Sequence, residues 1–383
     1  MLIINGIIHP MDGPVIPQGY VLLEGDRIAA LGPMEQAPQR LDVLDARGGH
    51  VLPGFIDIHC HLGLFGDGLG FEGDDGNEST DPVTPHLRAV DGINPFDRGF
   101  QEAREGGVTT VLTGPGSANP IAGQMAAIKT AGRWVDNMVI AAPAAMKFAL
   151  GENPKSCYNE RHETPVTRMA TAALMREQLA KAQEYLRKQE EAREDEDVDP
   201  PDFDAKLEAL LPLLRGDLTA HFHAHRADDM ATAVRVSKEF GLKYVLIHGT
   251  EGHLIADLLA KEGAPVVVGP LISDRCKPEL VNQAVENPAR LAEAGVRVAI
   301  CTDHPENPIQ YLPLAAALAA RAGMDEEQAL AAITLTAAQI AGIDSRVGSL
   351  TPGKDGDVVI FDRHPFDVAA KAQAVFINGE RVI

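Results

Sequence analysis

Between residues 51 and 341 short apolar runs alternate with longer amphipathic stretches, and that rhythm restricts the fold more than any other feature of the chain. Strand followed by helix, repeated, is the pattern of a parallel sheet covered by its own crossovers. Eight runs read as strands, at 51–61, 109–113, 138–142, 144–150, 218–223, 244–248, 265–268 and 296–302, and the stretches 94–105, 227–240, 253–261 and 282–294 read as helices. In 229–240, Met230, Val234 and Ser237 fall on one side with Ala233, Val236 and Phe240 close to it, while Arg235, Lys238 and Glu239 are free to face water. Gly241 then supplies a stop.

Both ends of the chain read differently. Residues 1–4, 20–23 and 27–31 are β-prone runs separated by Asn5-Gly6, Asp12-Gly13 and Gly25-Asp26, and 357–361 and 374–377 repeat the style before Asn378-Gly379. The economical architecture is an α/β protein with a (β/α)8 barrel at 51–344 and a small β-sandwich assembled from 1–50 and 345–383. A chain of 383 residues with 45% hydrophobic content is large enough to bury such a core. The segment 167–197 stands apart as a long helix, with Glu177 and Lys181, and Glu184 and Lys188, in the favourable order. It runs into the acidic stretch 190–197 and Pro200-Pro201, which reads as a solvent-facing insertion or wide helical excursion, with an acidic recognition element as the functional alternative.

Charge and cysteine usage exclude several classes. Thirty-four basic against 55 acidic residues give a net charge of -21, the wrong sign for a protein that displaces counterions from nucleic acid. Cys60, Cys157, Cys276 and Cys301 form no CxxC pair, so neither a disulfide framework nor a cysteine zinc knuckle is indicated. No signal-peptide pattern and no apolar stretch of membrane-spanning length is found. The expectation is a cytoplasmic protein with a small-molecule partner, and neither nucleic acid nor membrane.

Chemistry concentrates where the apolar runs end. In Gly54-Phe55-Ile56-Asp57-Ile58-His59-Cys60-His61, strand alternation sends His59 and His61 to one side and Cys60 to the other, so two imidazoles can grip one metal ion. The glycine-rich loop 62–68 follows, as expected where a barrel strand opens into its active face. The run 218–225 ends in His221, His223 and His225, the run 244–248 ends in His248, and the run 298–303 ends in Asp303. Any one of these histidines taken alone is as readily an interior hydrogen-bonding group, and Asp303 a helix cap. Together they supply nitrogen and oxygen ligation suited to Zn²⁺, with Mn²⁺, Fe²⁺ or Ni²⁺ as alternatives and one or two ions per chain. Spacing does not choose among His221, His223 and His225.

These motifs resemble those of the amidohydrolase superfamily, in particular the imidazolonepropionase-like and related branches. The resemblance begins at Val51-Leu52-Pro53-Gly54, resumes at Gly106-Gly107-Val108-Thr109-Thr110-Val111, and closes with Leu335-Thr336-Ala337-Ala338-Gln339-Ile340 and Gly348-Ser349-Leu350-Thr351-Pro352-Gly353-Lys354-Asp355-Gly356-Asp357. It implies that His59, His61, His223, His248 and Asp303 hold metal and that Asp303 is also the catalytic acid and base. His225 becomes a substrate-binding candidate, with Arg226 and His304 beside their respective ligands, and Glu306, Asn307 and Arg275 as further readers. Relatives with two metals bridge them with a carboxylated lysine, a role that falls on Lys147, with Glu152 as the rival. The implied reaction is hydrolysis of a C–N bond in an amide, cyclic amide, N-acyl amino acid or dipeptide. Deamination of an amine-bearing heterocycle is one alternative, and a catalytically silent barrel used as a scaffold is another. By resemblance alone, a homo-oligomer is among the expected assemblies.

Overall fold

Gly54 is the residue at which the chain leaves one sheet and enters another. A Cβ there would lie 2.0 Å from the Thr109 hydroxyl oxygen, so only glycine lets the first two barrel strands pack this closely. The structure is a computed structural model describing residues 1–66 and 68–383; Asp67, in the glycine-rich loop, lies outside the described residues. Five strands precede Gly54: β1 (Leu2–Ile8), β2 (Ile16–Glu24), β3 (Arg27–Pro33), β4 (Val43–Asp45) and β5 (His50–Pro53). The barrel strands are β6 (Phe55–Cys60), β7 (Val108–Thr113), β8 (Ile121–Lys129), β9 (Val139–Ala149), β10 (Thr219–Ala224), β11 (Tyr244–His248), β12 (Val266–Val268) and β13 (Val298–Ile300). The chain then returns through β14 (Val358–Phe361), β15 (Ala372–Ile377) and β16 (Glu380–Arg381), and β14 pairs antiparallel with β5. The expected run 51–61 is therefore two strands in two sheets, broken at Gly54.

The terminal strands form the small β-sandwich, whose core includes Ile3, Ile8, Val21, Ile28, Val51, Val358, Ile360 and Phe376. The second sheet runs β6 through β13 in sequence order and is nearly closed. Its ends meet where Asp303 N–H donates to the His59 carbonyl at 3.2 Å and His61 N–H donates to the His304 carbonyl at 2.8 Å. Alternate strand residues divide between two cores. Ala145, Val245, Ile247, Val267 and Ala299 pack in one cluster, while Met146, Phe148, Phe222, Leu246 and Ile300 pack in the other with helical residues such as Ala233, Val236 and Leu291.

One strand departs from the βα rhythm. β8 runs antiparallel to both β7 and β9, and nothing in its composition announces it, since Gly123 and several alanines dilute the apolar signal. The separate strands expected at 138–142 and 144–150 are a single strand, β9. Pro143 is tolerated in it because β10 pairs β9 only from Ala145 onward, and the β8 ladder is irregular between Met125 and Ala127, opposite the proline.

The long helix Arg168–Glu194 starts on a Thr167 cap whose hydroxyl accepts from Ala170 N–H at 3.1 Å. It is not wholly solvent-facing: Thr171, Met175, Leu179 and Ala182 recur at helical spacing along a buried stripe. Glu190, Glu191 and Glu194 near its end do face water, and the helix stops before Pro200. No helix among the described residues is long and apolar enough to cross a membrane.

A buried ionic knot ties the sandwich to the barrel. Lys129, the last residue of β8, places its ammonium 2.9 Å from Asp355 and 2.6 Å from Asp357, and all three side chains are essentially inaccessible. Arg346 shares Asp355 at 2.8 Å, and Asp357 accepts from Asn378 N–H at 3.0 Å. Removing one partner of such a group strands charge in a medium that solvates it poorly. Lys129→Met is expected to destabilise the protein by about 3–5 kcal/mol, read as a lowered urea midpoint; an unchanged midpoint would show that the two aspartates do not need this cation.

Candidate metal centre and active site

Two groups of three ligands gather at the barrel mouth. His59, His61 and Asp303 each offer one atom within 4.8 Å of the others, and so do His223, His225 and His248. Asp303 Oδ1 lies 3.2 Å from His59 Nε2 and 3.3 Å from His61 Nε2. In the second group the His223 and His248 rings meet edge to face with centroids 4.5 Å apart, and His225 stacks on His248 at the same separation.

Backbone shape aims these side chains as much as strand alternation does. His248 and Asp303 both adopt left-handed backbone angles, with φ of 72° and 56°, at the point where β11 and the segment after β13 turn into loops. Such angles are unfavourable for residues with a Cβ and persist where the surroundings enforce them. At His248, which simple alternation would turn to the side of Leu246 and of its own register partner Ala224, the angle redirects the side chain.

The protein also sets which ring nitrogen faces the centre. His61 Nδ1 lies 2.7 Å from the Gly114 carbonyl and His248 Nδ1 lies 2.7 Å from the Gly269 carbonyl, and a carbonyl oxygen only accepts, so both rings carry hydrogen on Nδ1 and leave Nε2 as a lone-pair donor. His223 Nδ1 pairs with the Ser117 hydroxyl at 2.9 Å and His225 Nδ1 with the Thr250 hydroxyl at 2.7 Å. The Nε2 atoms of His223 and His248 are buried and have no hydrogen-bond partner among the described residues. Orphaned, inward-facing imidazole nitrogens beside a carboxylate are what a divalent cation requires, so the residues present fit a metal.

Electrostatics keep this set in its ligating form. Burial, reinforced by Lys147, holds His59 well below the usual imidazole range, and burial pushes His248 down to about 4. Burial alone would raise the Asp303 carboxyl, but His248, His59 and His61 outweigh it and keep it well below the ordinary carboxylate range. Lys147 is fully buried with its amine 3.3 Å from His59 Nε2, and burial lowers it to about 8 against the pull of Asp303 and Cys301. Its charge also bears on His223, His225 and His248, so it acts on both groups.

The other expected residues are distributed unevenly. His221 sits in register with Lys147 on the neighbouring strand, buried and outside both ligand groups. His225, expected to face substrate, lines the cavity and also belongs to the second ligand group. Arg226 is forked onto Asp228 at 2.9 Å at the surface, and Arg275 is exposed and donates to the Gln283 carbonyl at 2.7 Å; neither lines the cavity. His304 Nδ1 accepts from Ile309 N–H at 3.3 Å, and its ring lies against Gly99 rather than the cavity. Asn307 braces the loop at Ile272, while Glu306 does reach the cavity wall. Glu152 contributes its backbone N–H to the Glu279 carboxylate at 3.0 Å and joins neither ligand group.

Several residues of the site have no sequence motif. Asp57 is buried with its carboxyl pushed up to about 7 by burial, and it accepts from His59 N–H and from the Thr302 N–H and hydroxyl, joining β6 to the segment that carries Asp303. Its place two residues before His59 was the one available signal. Ser117 and Thr250 orient histidines from loops, and Lys277 lines the cavity from the loop after β12; nothing local in the sequence marks them. The cavity holds about 300 Å³ and opens onto both ligand groups through His61, His223, His225 and Asp303.

Comparison with known proteins agrees with this geometry. The family model described as "Amidohydrolase family" matches residues 50–382. Amidohydrolase tasK of Hapsidospora irregularis is 31% identical over 94% of this chain, which spans 39% of that longer protein. Imidazolonepropionase of Symbiobacterium thermophilum is 27% identical over 91% of this chain and 85% of its own length. The crystal structure of an amidohydrolase from Thermotoga maritima is similar across 100% of this chain and 99% of its own, with 41% identity and a TM-score of 0.96.

A cation bound by these donors stabilises the folded chain by mass action, by about 4 kcal/mol when free metal stands at 1,000 times its dissociation constant. Chelator-treated protein is therefore expected to gain thermal stability on adding Zn²⁺, and His248→Ala to lose much of that gain together with bound metal measured by elemental analysis. Equal metal content and equal stabilisation in the variant would remove His248 from the site.

Proposed function

Because this chain belongs to the amidohydrolase family, we propose that it is a metal-dependent enzyme hydrolysing the C–N bond of a small amide, cyclic amide, N-acyl amino acid or dipeptide. The observation that carries this reading is the convergence of six buried ligands, with Asp303 held as an anion against His59 and His61 at the floor of the cavity. His59, His61 and Asp303 would hold one cation, and His223 and His248, with His225 adjoining, would hold another; Zn²⁺ suits the donors best. A divalent cation in such a site supplies a Lewis acid for the carbonyl and makes water acidic enough to attack near neutrality.

The remaining work belongs to the chain itself. Asp303 is the catalytic residue: its carboxylate takes the proton of the attacking water and returns it to the leaving nitrogen, which departs as an amine. The carbonyl oxygens of Gly114 and Gly269 and the Ser117 hydroxyl keep the imidazoles from rotating, so the geometry is in place before substrate arrives. Lys147 is the bridge between the two groups. Its burial lowers the amine toward the neutral form, which reacts with carbon dioxide to give an anionic carbamate and release one proton.

The deaminase alternative uses the same floor but releases ammonia, and the lysine acting on both ligand groups favours the two-cation hydrolase. Asp303→Asn is expected to lower kcat by about 10²–10⁴-fold on whichever amide of a screened panel the metal-loaded protein cleaves, with metal content retained. Near wild-type turnover would place the acid and base elsewhere, and ammonia release from an amine-bearing heterocycle would transfer the assignment to deamination. Independently, protein equilibrated with ¹³C-labelled bicarbonate should show a carbamate resonance that Lys147→Met abolishes; its absence from the wild type would leave Lys147 as a simple buried amine.

A further inference from the structure

The cavity above the ligand groups is lined by residues of several loops, and among the described residues Lys277 is the one lysine or arginine that lines it. Its ammonium touches Asn153 Oδ1 at the long distance of 3.4 Å and forms no ion pair within 4.0 Å among the described residues, although its charge is felt by the buried Glu279 carboxyl two residues away. By contrast, Lys129 and Arg168 in the same chain of net charge -21 sit on carboxylates.

Two neutral donors line the same cavity, and one of them, Asn153, touches Lys277 directly. The Asn153 amide oxygen is turned to Lys277, which leaves its NH₂ group as the other face of the side chain. Ser273 Oγ accepts from Gln283 Nε2 at 3.0 Å, so its hydroxyl hydrogen is available to donate. Both residues line the cavity. The two arginines expected to contact substrate, Arg226 and Arg275, are engaged at the surface.

From this wall of donors we propose that Lys277, with Asn153 and Ser273, forms a subsite for a carboxylate, so that the substrate is an amide carrying a free carboxylate remote from the bond that is cleaved. An unpaired ammonium and two hydrogen-bond donors match the two oxygens of a carboxylate, and a neutral substrate end would leave the partly desolvated cation without a partner. N-acyl amino acids, dipeptides and carboxylated cyclic amides meet this requirement. Simple alkyl amides and neutral amine-bearing heterocycles do not. Asp303 and Glu306 lie on the same cavity wall, but Asp303 is turned to His59 and His61, and Glu306 makes no pair with Lys277. This inference rests on the hydrolase reading for the position of the scissile bond, but not for the ligand that the subsite takes.

The test uses the metal-loaded protein, with N-benzoylglycine and its carboxamide as paired probes. The wild type is expected to prefer the acid over the amide by on the order of 10–100-fold in kcat/KM. Lys277→Met should collapse that ratio toward one, and Lys277→Arg should preserve most of it. Binding of the same two compounds by calorimetry gives a second readout. If neither compound is hydrolysed but the acid binds more tightly and Lys277→Met removes the difference, the subsite stands and the hydrolase reading falls. Equal treatment of acid and amide by the wild type, or a preference that survives Lys277→Met, overturns the subsite.

Discussion

Desolvation of imidazoles around a single carboxylate is the interaction on which the active end of this molecule is built. His59, His223 and His248 are almost wholly removed from water, and each is driven toward its neutral form by that burial. In His223 and His248 the Nδ1 is anchored and Nε2 meets no partner among the described residues, while Asp303 sets a carboxylate against His59 and His61. Such a cluster is poorly satisfied by protein alone, and a cation resolves its unmet bonds.

The barrel and sandwich hold this cluster in place through different means. At the mouth, backbone hydrogen bonds between the His59 and Asp303 segments close the ring of strands, and Asp57 repeats the connection with its side chain. At the opposite border, Lys129, Asp355 and Asp357 join β8 to the returning chain by a compensated buried charge group. The first device positions ligands, and the second holds the domain that the two termini assemble. Neither works alone, because β6, which carries His59, emerges directly from the sandwich strand β5 at Gly54.

Much of the site was readable from the chain because a polar residue ending an apolar run is conspicuous. His59, His61, His248 and Asp303 declared themselves in that way, whereas His223 was one of three alternate histidines that spacing did not separate; all five lie in the two ligand groups. Lys147 was visible as a charge inside an apolar run, and the register of β9 with β10 sets it beside His221, buried and within 3.3 Å of His59. The reading failed where position depended on something other than alternation. β8 carries a diluted pattern and runs backward, and Pro143 split one strand into two because the absence of a β10 partner at that level cannot be read locally. Arg226, next to a ligand in sequence, found Asp228 instead of the cavity.

The sequence by itself determined the kinds of elements, their order, and the donors available at their ends, because side-chain alternation and apolar periodicity are properties of neighbouring residues. Tertiary structure decided which of those donors meet, which nitrogen each imidazole presents, and which cation faces the cavity. Those outcomes depend on partners far away in the chain, such as Gly114 for His61, Ser117 for His223 and Asn153 for Lys277, and on left-handed turns at His248 and Asp303 that only the packed surroundings enforce.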